Sequence, residues 1–254
     1  MGTKVFRHNQ DAWNRDARAG KRWSTPVSEA ALSAARAGCP EIFLTPNRPV
    51  PASWLESLAG SRVLALASGG GQQAPLLAAA GAEVWSLDAS LEQLRLDQAT
   101  AARAGHRVRC LVGNMADLGA FPSNLFDWVI NPVSTVFVPD VRPVWSEVAR
   151  VLKRGGHFLT GVMNPVFFLF DHEPLAPEGR PEVRYALPTN DLLEGADVSA
   201  RAIEFSHSLT DLIAGQLESG LALEGFFEDD WDDDASPLNR YFPIYLAMQS
   251  RKRG

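Results

Sequence analysis

Three consecutive glycines, Gly69-Gly70-Gly71, with Asp88 further along, are the residues of this chain best suited to gripping a ligand. Glycine lets the backbone turn tightly and approach a bound molecule closely, because it has no Cβ. The residues before the run, Val63 to Ala67, are apolar and read as a buried parallel strand. Gln72 to Ala80 then reads as an Ala- and Leu-rich helix, whose first N–H groups are free to face a polar ligand. A second strand, Ala82 to Leu87, carries Asp88 at its tip. A carboxylate there can accept hydrogen bonds from the ribose hydroxyls of a nucleoside-containing cofactor. For proton transfer the first candidate is His207, since an imidazole titrates near neutrality and can take a proton from a phenol or enol. Ser206-His207-Ser208 also reads as a polar capping turn. His172, beside Asp171, is a second candidate, whereas His157 begins a core strand and reads as structural, and His8 and His106 read as exposed. Asn131, in Asn131-Pro132-Val133-Ser134, is either a catalytic amide or part of a loop fixed by Pro132.

The elements that must position these groups alternate. Strand 63–67, helix 72–80, strand 82–87, helix 90–104, strand 107–112, strand 126–130, helix 141–152 and strand 157–162 follow in order, with Gly155-Gly156 as the last turn. Strict alternation implies right-handed crossovers and a parallel sheet with helices on both faces. Four regions result: an amino-terminal helical lid (1–60), a cofactor-binding core (61–163), a substrate-cap insertion (164–208) and a carboxyl-terminal part of the core sheet (209–254). In the first, Ser28 to Gly38 reads as a helix capped by Ser28, flanked by Trp13, Trp23, Trp54 and a proline-rich run from Pro46 to Pro51. In the third, a strand is expected over 198–205. In the fourth, a helix over 210–220 is followed by strands over 221–227 and 241–248. A turn joins these two strands, so they must be antiparallel.

Bulk properties exclude several classes. The 254 residues, 46% of them hydrophobic and 21% charged, suit one large soluble α/β domain. A net charge of −6 argues against nucleic acid as a partner. No apolar run is long enough to span a membrane, and residues 1–10 lack a signal-peptide core, so a cytoplasmic protein is expected. Cys39 and Cys110 have no metal-type spacing and fit a reducing compartment. The acidic block Glu228 to Asp234 lacks the glycine and alternating ligands of a calcium loop, so no metal is expected and the block reads as a solvated turn.

On these residues the chain resembles the class I S-adenosylmethionine-dependent methyltransferases, most of all the small-molecule branch that includes the ubiquinone and menaquinone methyltransferases. The resemblance rests on the glycine turn, on Asp88-Ala89, on Gly113-Asn114-Met115-Ala116-Asp117-Leu118, on Phe126 to Ile130, and on Glu147 to His157 with its leucine, basic and glycine-glycine turn. It spans roughly residues 60 to 250. It implies a Rossmann-like, seven-stranded, mostly parallel sheet with an antiparallel carboxyl-terminal strand pair, and S-adenosyl-L-methionine as cofactor. The implied cofactor-binding residues are Ala67, Ser68, Gly69, Gly70, Gln73, Asp88, Ala89, Asn114, Met115, Ala116, Asn131, Pro132 and Val133. Ala65 stands where the family has an acid, and Ala67 where it has a glycine. A small, partly apolar acceptor and a monomer or homodimer are expected. Two other readings fit some of the residues. Gly69 to Ala74 satisfies the loose dinucleotide pattern of an NAD(P)-dependent oxidoreductase. The missing acid at Ala65 would also suit a protein that binds the cofactor without methyl transfer.

Overall fold

The alternation of buried side chains along the first strand sets the layers. In β1 (Arg62–Leu66), Val63 and Ala65 belong to one apolar core, and Leu64 and Leu66 to another on the opposite face. The computed structural model describes residues 2–56, 58–170, 180–232 and 236–254. Ahead of β1 lie α1 (Gly2–Arg18) and α2 (Glu29–Arg36), the latter capped by Ser28, whose hydroxyl accepts from Ala31 N. Then follow α3 (Gln73–Ala79), β2 (Glu83–Asp88), α4 (Leu91–Arg103), β3 (Val108–Val112), β4 (Phe126–Asn131), α5 (Arg142–Val151) and β5 (Leu152–Met163). A one-turn helix α6 (Asp191–Glu194), a helix that starts with a π turn at Thr210–Ala214 and continues as α7 (Gly215–Glu218), β6 (Leu221–Asp229) and β7 (Tyr245–Lys252) complete the chain.

The seven strands form one sheet in the order β3-β2-β1-β4-β5-β7-β6, with β7 antiparallel to both β5 and β6. Residues of α2, α3 and α4 (Leu32, Leu77, Ala101) fill the core on one face. Residues of α5 and the helix before β6 (Trp145, Val148, Leu212) fill the other. The expected architecture is therefore the observed one.

Several local expectations need correction. Residues 198–205 form no strand; the segment makes a single bridge, Asn190 with Phe205, and Phe205 N donates to Val136 O instead. Gly155-Gly156 does not precede β5 but lies within it, as a bulge between the pairs Phe126–Leu152 and Trp128–His157 that Gly155 enters at φ +72°. The amino terminus begins with a 17-residue helix that polar composition concealed. Asp233 and Asp234 of the acidic block lie outside the described residues; in its described part Asp229 accepts from Asn47 N and Arg48 N, and Asp232 pairs with Arg22, so that part fastens the amino-terminal segment to the end of the sheet. His8 and His106 are half-buried, and His8 Nε2 bonds Arg201 O at 3.0 Å. His157 stacks on Trp128, as a structural residue would. Asp171 and His172 lie outside the described residues.

Candidate active site

The strand order reverses between β1 and β4. Crossovers diverge at such a point and leave a crevice at the carboxyl ends of the strands. A cavity of about 1360 Å³ opens there. Ala67, Ser68, Gly69, Gln73, Asp88, Ala89, Asn114, Met115, Pro132 and Val133 all line it. Turns after four different strands thus meet on one surface.

Each is held by identifiable bonds. Ala67, at the family's glycine position, adopts φ +47°, and its N–H donates to Leu87 O at 2.8 Å. Gly71 N donates to Asp97 Oδ1 at 2.8 Å, while Asp97 Oδ2 accepts from Ser86 Oγ at 2.7 Å. This buried carboxylate ties the glycine turn to β2, and burial pushes its pKa up to about 7. Asp88 Oδ1 accepts from Ser90 N at 2.7 Å, and Oδ2 has no partner among the described residues. Burial raises the Asp88 pKa to about 6, against the opposing bond from Ser90. Asn114 Oδ1 accepts from Ala116 N at 3.0 Å, which fixes the loop after β3.

Four expected site residues do not reach the cavity wall. Gly70 lies behind it, where a Cβ would overlap Gln93 and come within 2.8 Å of Leu96, so this glycine serves the close approach of α4. Ala116 packs against the core under α5. Asn131 is fully buried; its Nδ2 donates to Leu66 O and Ser134 Oγ, each at 2.7 Å, locking β4 to β1. His207 is buried with Nε2 bonded to Thr135 O at 2.9 Å, and desolvation lowers its pKa. Asn131 and His207 are therefore not positioned as catalytic groups; both brace the loop after β4. Ala65 is fully buried in the core, so no acid faces a ligand from that position.

The rest of the wall comes from the segments expected as lid and cap and from individual residues that the sequence did not single out. From α1, Phe6, Asn9 and Trp13 line the cavity. Asn9 Nδ2 donates to Phe137 O and to Ile203 O, both at 3.1 Å, and Asn9 Oδ1 accepts from Ile203 N at 2.8 Å. Gln10 Nε2 donates to Ala89 O at 2.7 Å, and Asn14 Oδ1 accepts from Ser90 Oγ at 2.8 Å. The helix thus spans from the loop after β2 to the segment before His207. Thr45, Gln93, Glu204 and Tyr245 also line the cavity.

Three of the lining side chains bear on whether S-adenosylmethionine fits. Thr45 Oγ1, Ser68 Oγ and Gln93 Oε1 are buried and have no hydrogen-bond partner among the described residues. Buried polar atoms are almost always paired, so three orphans around one cavity mark a surface made for a polar ligand. Gly69, at φ +74°, makes the turn beneath the amino-terminal segment: a Cβ there would lie 2.9 Å from Gln72 Oε1 and 3.0 Å from Trp23 O. With the free Asp88 oxygen, the donor and acceptor set suits a nucleoside joined to a polar amino acid. Among the described residues no group of His, Cys, Asp or Glu could hold a metal ion, and no helix is long and apolar enough to cross a membrane.

This fold, with its antiparallel final pair and its cavity at the β1/β4 reversal, is that of the class I methyltransferases. Residues 64–160 match the methyltransferase domain family. The chain is 40% identical to the uncharacterized methyltransferase YbaJ of Bacillus subtilis, over 96% of this chain and 97% of that one. It is 31% identical to a ubiquinone biosynthesis O-methyltransferase of Xanthomonas euvesicatoria, over 80% and 82% of the two chains. The crystal structure of the 1,6-didemethyltoxoflavin-N1-methyltransferase of Burkholderia thailandensis, with S-adenosylhomocysteine bound, shares the fold across 100% of this chain and 91% of that one (TM-score 0.58, 16% identity). The chain belongs to the class I S-adenosylmethionine-dependent methyltransferases, and S-adenosylmethionine is its cofactor.

Proposed function

We propose that this methyltransferase acts on a small molecule bound in the cavity beside the cofactor, in the cytoplasm, as a monomer or homodimer. The observation that carries the reading is the cavity wall itself: a half-free Asp88 carboxylate and three orphaned polar atoms at one end, and an apolar, aromatic surface of Phe137, Met163, Phe167 and Tyr245 at the other. Asp88 would hold the ribose hydroxyls, Ala89 and Met115 would flank the adenine, and Ala67 to Gly69, with Gln73 and Thr45, would face the methionine part. The cofactor supplies a methyl group already activated by sulfonium charge. The protein's task is then to align donor and acceptor and to keep water out. Helix α1, within the amino-terminal lid, and the segment 180–207, within the cap, suit the second task because both reach over the strand ends. A small acceptor is supported by the likeness to the ubiquinone biosynthesis enzyme. The net charge of −6 supports a partner other than nucleic acid.

Calorimetric titration with S-adenosylhomocysteine, with NADH as control, tests the cofactor end. Micromolar binding of the first and none of the second is expected. The reverse would assign the glycine turn to a dinucleotide.

A further inference from the structure

One of the carboxylates on the cavity wall is half-buried and has no side-chain partner among the described residues. Glu204 lines the cavity, and its side chain has no hydrogen bond or ion pair among the described residues. Its backbone is tightly placed: Glu204 N donates to Asp191 Oδ2 at 2.6 Å, Asp191 N donates to Glu204 O at 3.2 Å, and the next residue is bonded to Val136. Val136 follows β4, and Tyr245 begins β7 beside Met163 at the end of β5. Both line the same cavity, and the Glu204 charge is near enough to push the Tyr245 phenol upward.

Partly burying a carboxylate without a hydrogen-bonding partner is costly, and a ligand that donates a hydrogen bond to it would offset that cost. We propose that Glu204 is the base for the acceptor, and that the acceptor is a flat ring carrying a weakly acidic O–H or N–H. The inference rests on the methyltransferase reading above. In the step, the X–H bond of the ring breaks with its electron pair left on X, and the proton passes to a Glu204 carboxylate oxygen. X then forms its bond to the methyl carbon as the sulfur–methyl bond breaks with its electron pair left on sulfur, which departs as the neutral thioether S-adenosylhomocysteine, and the proton leaves to solvent once product departs. Tyr245, held protonated, can donate a hydrogen bond that orients the ring.

The surroundings favour this class over a cationic amine. Arg180 and Arg240 are exposed at the cavity wall and have no partner among the described residues. Their positive charge favours developing negative charge on the ring, with the exposed Glu41 on the same wall opposing it. The charged groups facing Glu204 are Asp191 and Glu194, which discourage its ionisation, and Arg201, which favours it and is itself paired in a two-point bridge with Asp191. Burial is the leading cause that carries the Glu204 pKa to about 7. A base of that strength is poised to accept a proton at neutral pH.

The test is calorimetric titration of the full chain, loaded with S-adenosylhomocysteine, with phenol and with benzylamine between pH 5.5 and 8.5. Phenol is expected to bind, losing up to about tenfold per pH unit below pH 7 as Glu204 protonates. Glu204→Gln should bind phenol at least fivefold more weakly and without pH dependence, while its affinity for S-adenosylhomocysteine stays within threefold. Retention of the pH dependence in Glu204→Gln, a preference for benzylamine, or no phenol binding by loaded wild-type protein would overturn the proposal. Should Glu204→Gln fail to fold, the wild-type profile decides: a phenol affinity flat across this range overturns it. Failure of wild-type protein to bind S-adenosylhomocysteine would instead remove the methyltransferase reading beneath it.

Discussion

The two ends of the cavity are built in opposite ways. The end with Asp88 is made of consecutive strand–turn–helix units between β1 and β4, and its turns are pinned by bonds within and between those neighbouring units, such as Asp88–Ser90 and Gly71–Asp97. The end with Glu204 is assembled from segments distant in sequence: the loop after β4, the end of β5, the segment 201–204 and the start of β7, with the 43–45 strip running between the two ends. The first end is framed by adjacent units of the sheet, with α1 laid against it through Gln10–Ala89 and Asn14–Ser90. The second exists only when long-range contacts bring unlike segments together, so it can vary without disturbing the sheet.

The largest expected effect comes from breaking one of those long-range contacts. Gly161 of β5 lies under Leu44, and Leu44 O also accepts from Val133 N at 3.0 Å. A Cβ at Gly161 would overlap the Leu44 carbonyl and sit 2.8 Å from its carbon. Backbone cannot yield as a side-chain tip can, so Gly161→Ala should cost about 3 kcal/mol, the upper range for overpacking. Urea unfolding would report the loss, and amide exchange at Val133 should accelerate first. An unchanged midpoint would show that the 42–45 strip is compliant, and the contrast between the two ends would weaken.

Asp88→Ala attacks the other end. Hydrogen bonds to a charged group contribute roughly 1.5–3 kcal/mol, so affinity for S-adenosylhomocysteine should fall more than tenfold while stability holds. The pH dependence gives a second measure. With its pKa raised to about 6 in the free protein, Asp88 binds ribose hydroxyls best when ionised. Wild-type affinity should therefore rise as pH increases through about 6 and level off above, and in Asp88→Asn it should be flat. Equal affinity in Asp88→Ala and wild type would remove the ribose assignment.

What was legible in the sequence divides along the same line. The glycine turn, Asp88 and the loop after β3 were readable because each depends on residues close in sequence. Helix α1 was hidden because a polar residue, Asn9, sits on its buried face beside Val5 and Ala12. Gln93, three residues past the Ser90 cap, likewise carries its polar end inward, where it meets Ser24. His207 was the natural base from residue type, but residue type does not reveal side-chain parity. Along an extended segment side chains alternate, and here Phe205 and His207 are buried while Glu204 faces the cavity. A group an odd number of positions away in such a segment, as His207 is from Glu204, lands on the other side.

That correction has its own test. Desolvation is the main cause of the lowered His207 pKa, only partly offset by the bond to Thr135 O. A histidine whose folded pKa is depressed contributes stability that is present above its unfolded value, near 6.5, and lost as pH falls through the lower folded value. His207→Gln should lower stability at pH 7.5 by about 1 kcal/mol, the typical contribution of one hydrogen bond. It should also flatten stability on the acid side, and leave phenol binding and its pH profile unchanged. Loss of that profile in His207→Gln would return the histidine to the acceptor site.

The smallest effect separates strain from packing at the Asp88 end. Ala67 holds φ +47°, a conformation that costs a residue with a Cβ roughly 1–2 kcal/mol. It persists because neighbours fix the turn: its own N–H is bonded to Leu87 O, and Gly71 is anchored to Asp97. Glycine would relieve the strain but would cost roughly 0.5–1 kcal/mol through the freedom it adds to the unfolded chain. It would also lose a methyl that packs against the core under α5. Ala67→Gly should therefore raise the urea midpoint at constant m-value, by an amount equivalent to less than about 1 kcal/mol of stability, with affinity for S-adenosylhomocysteine within twofold. A lowered midpoint would mean that the methyl's packing outweighs the strain, so that the turn owes its shape to the core beneath it as well as to local bonds.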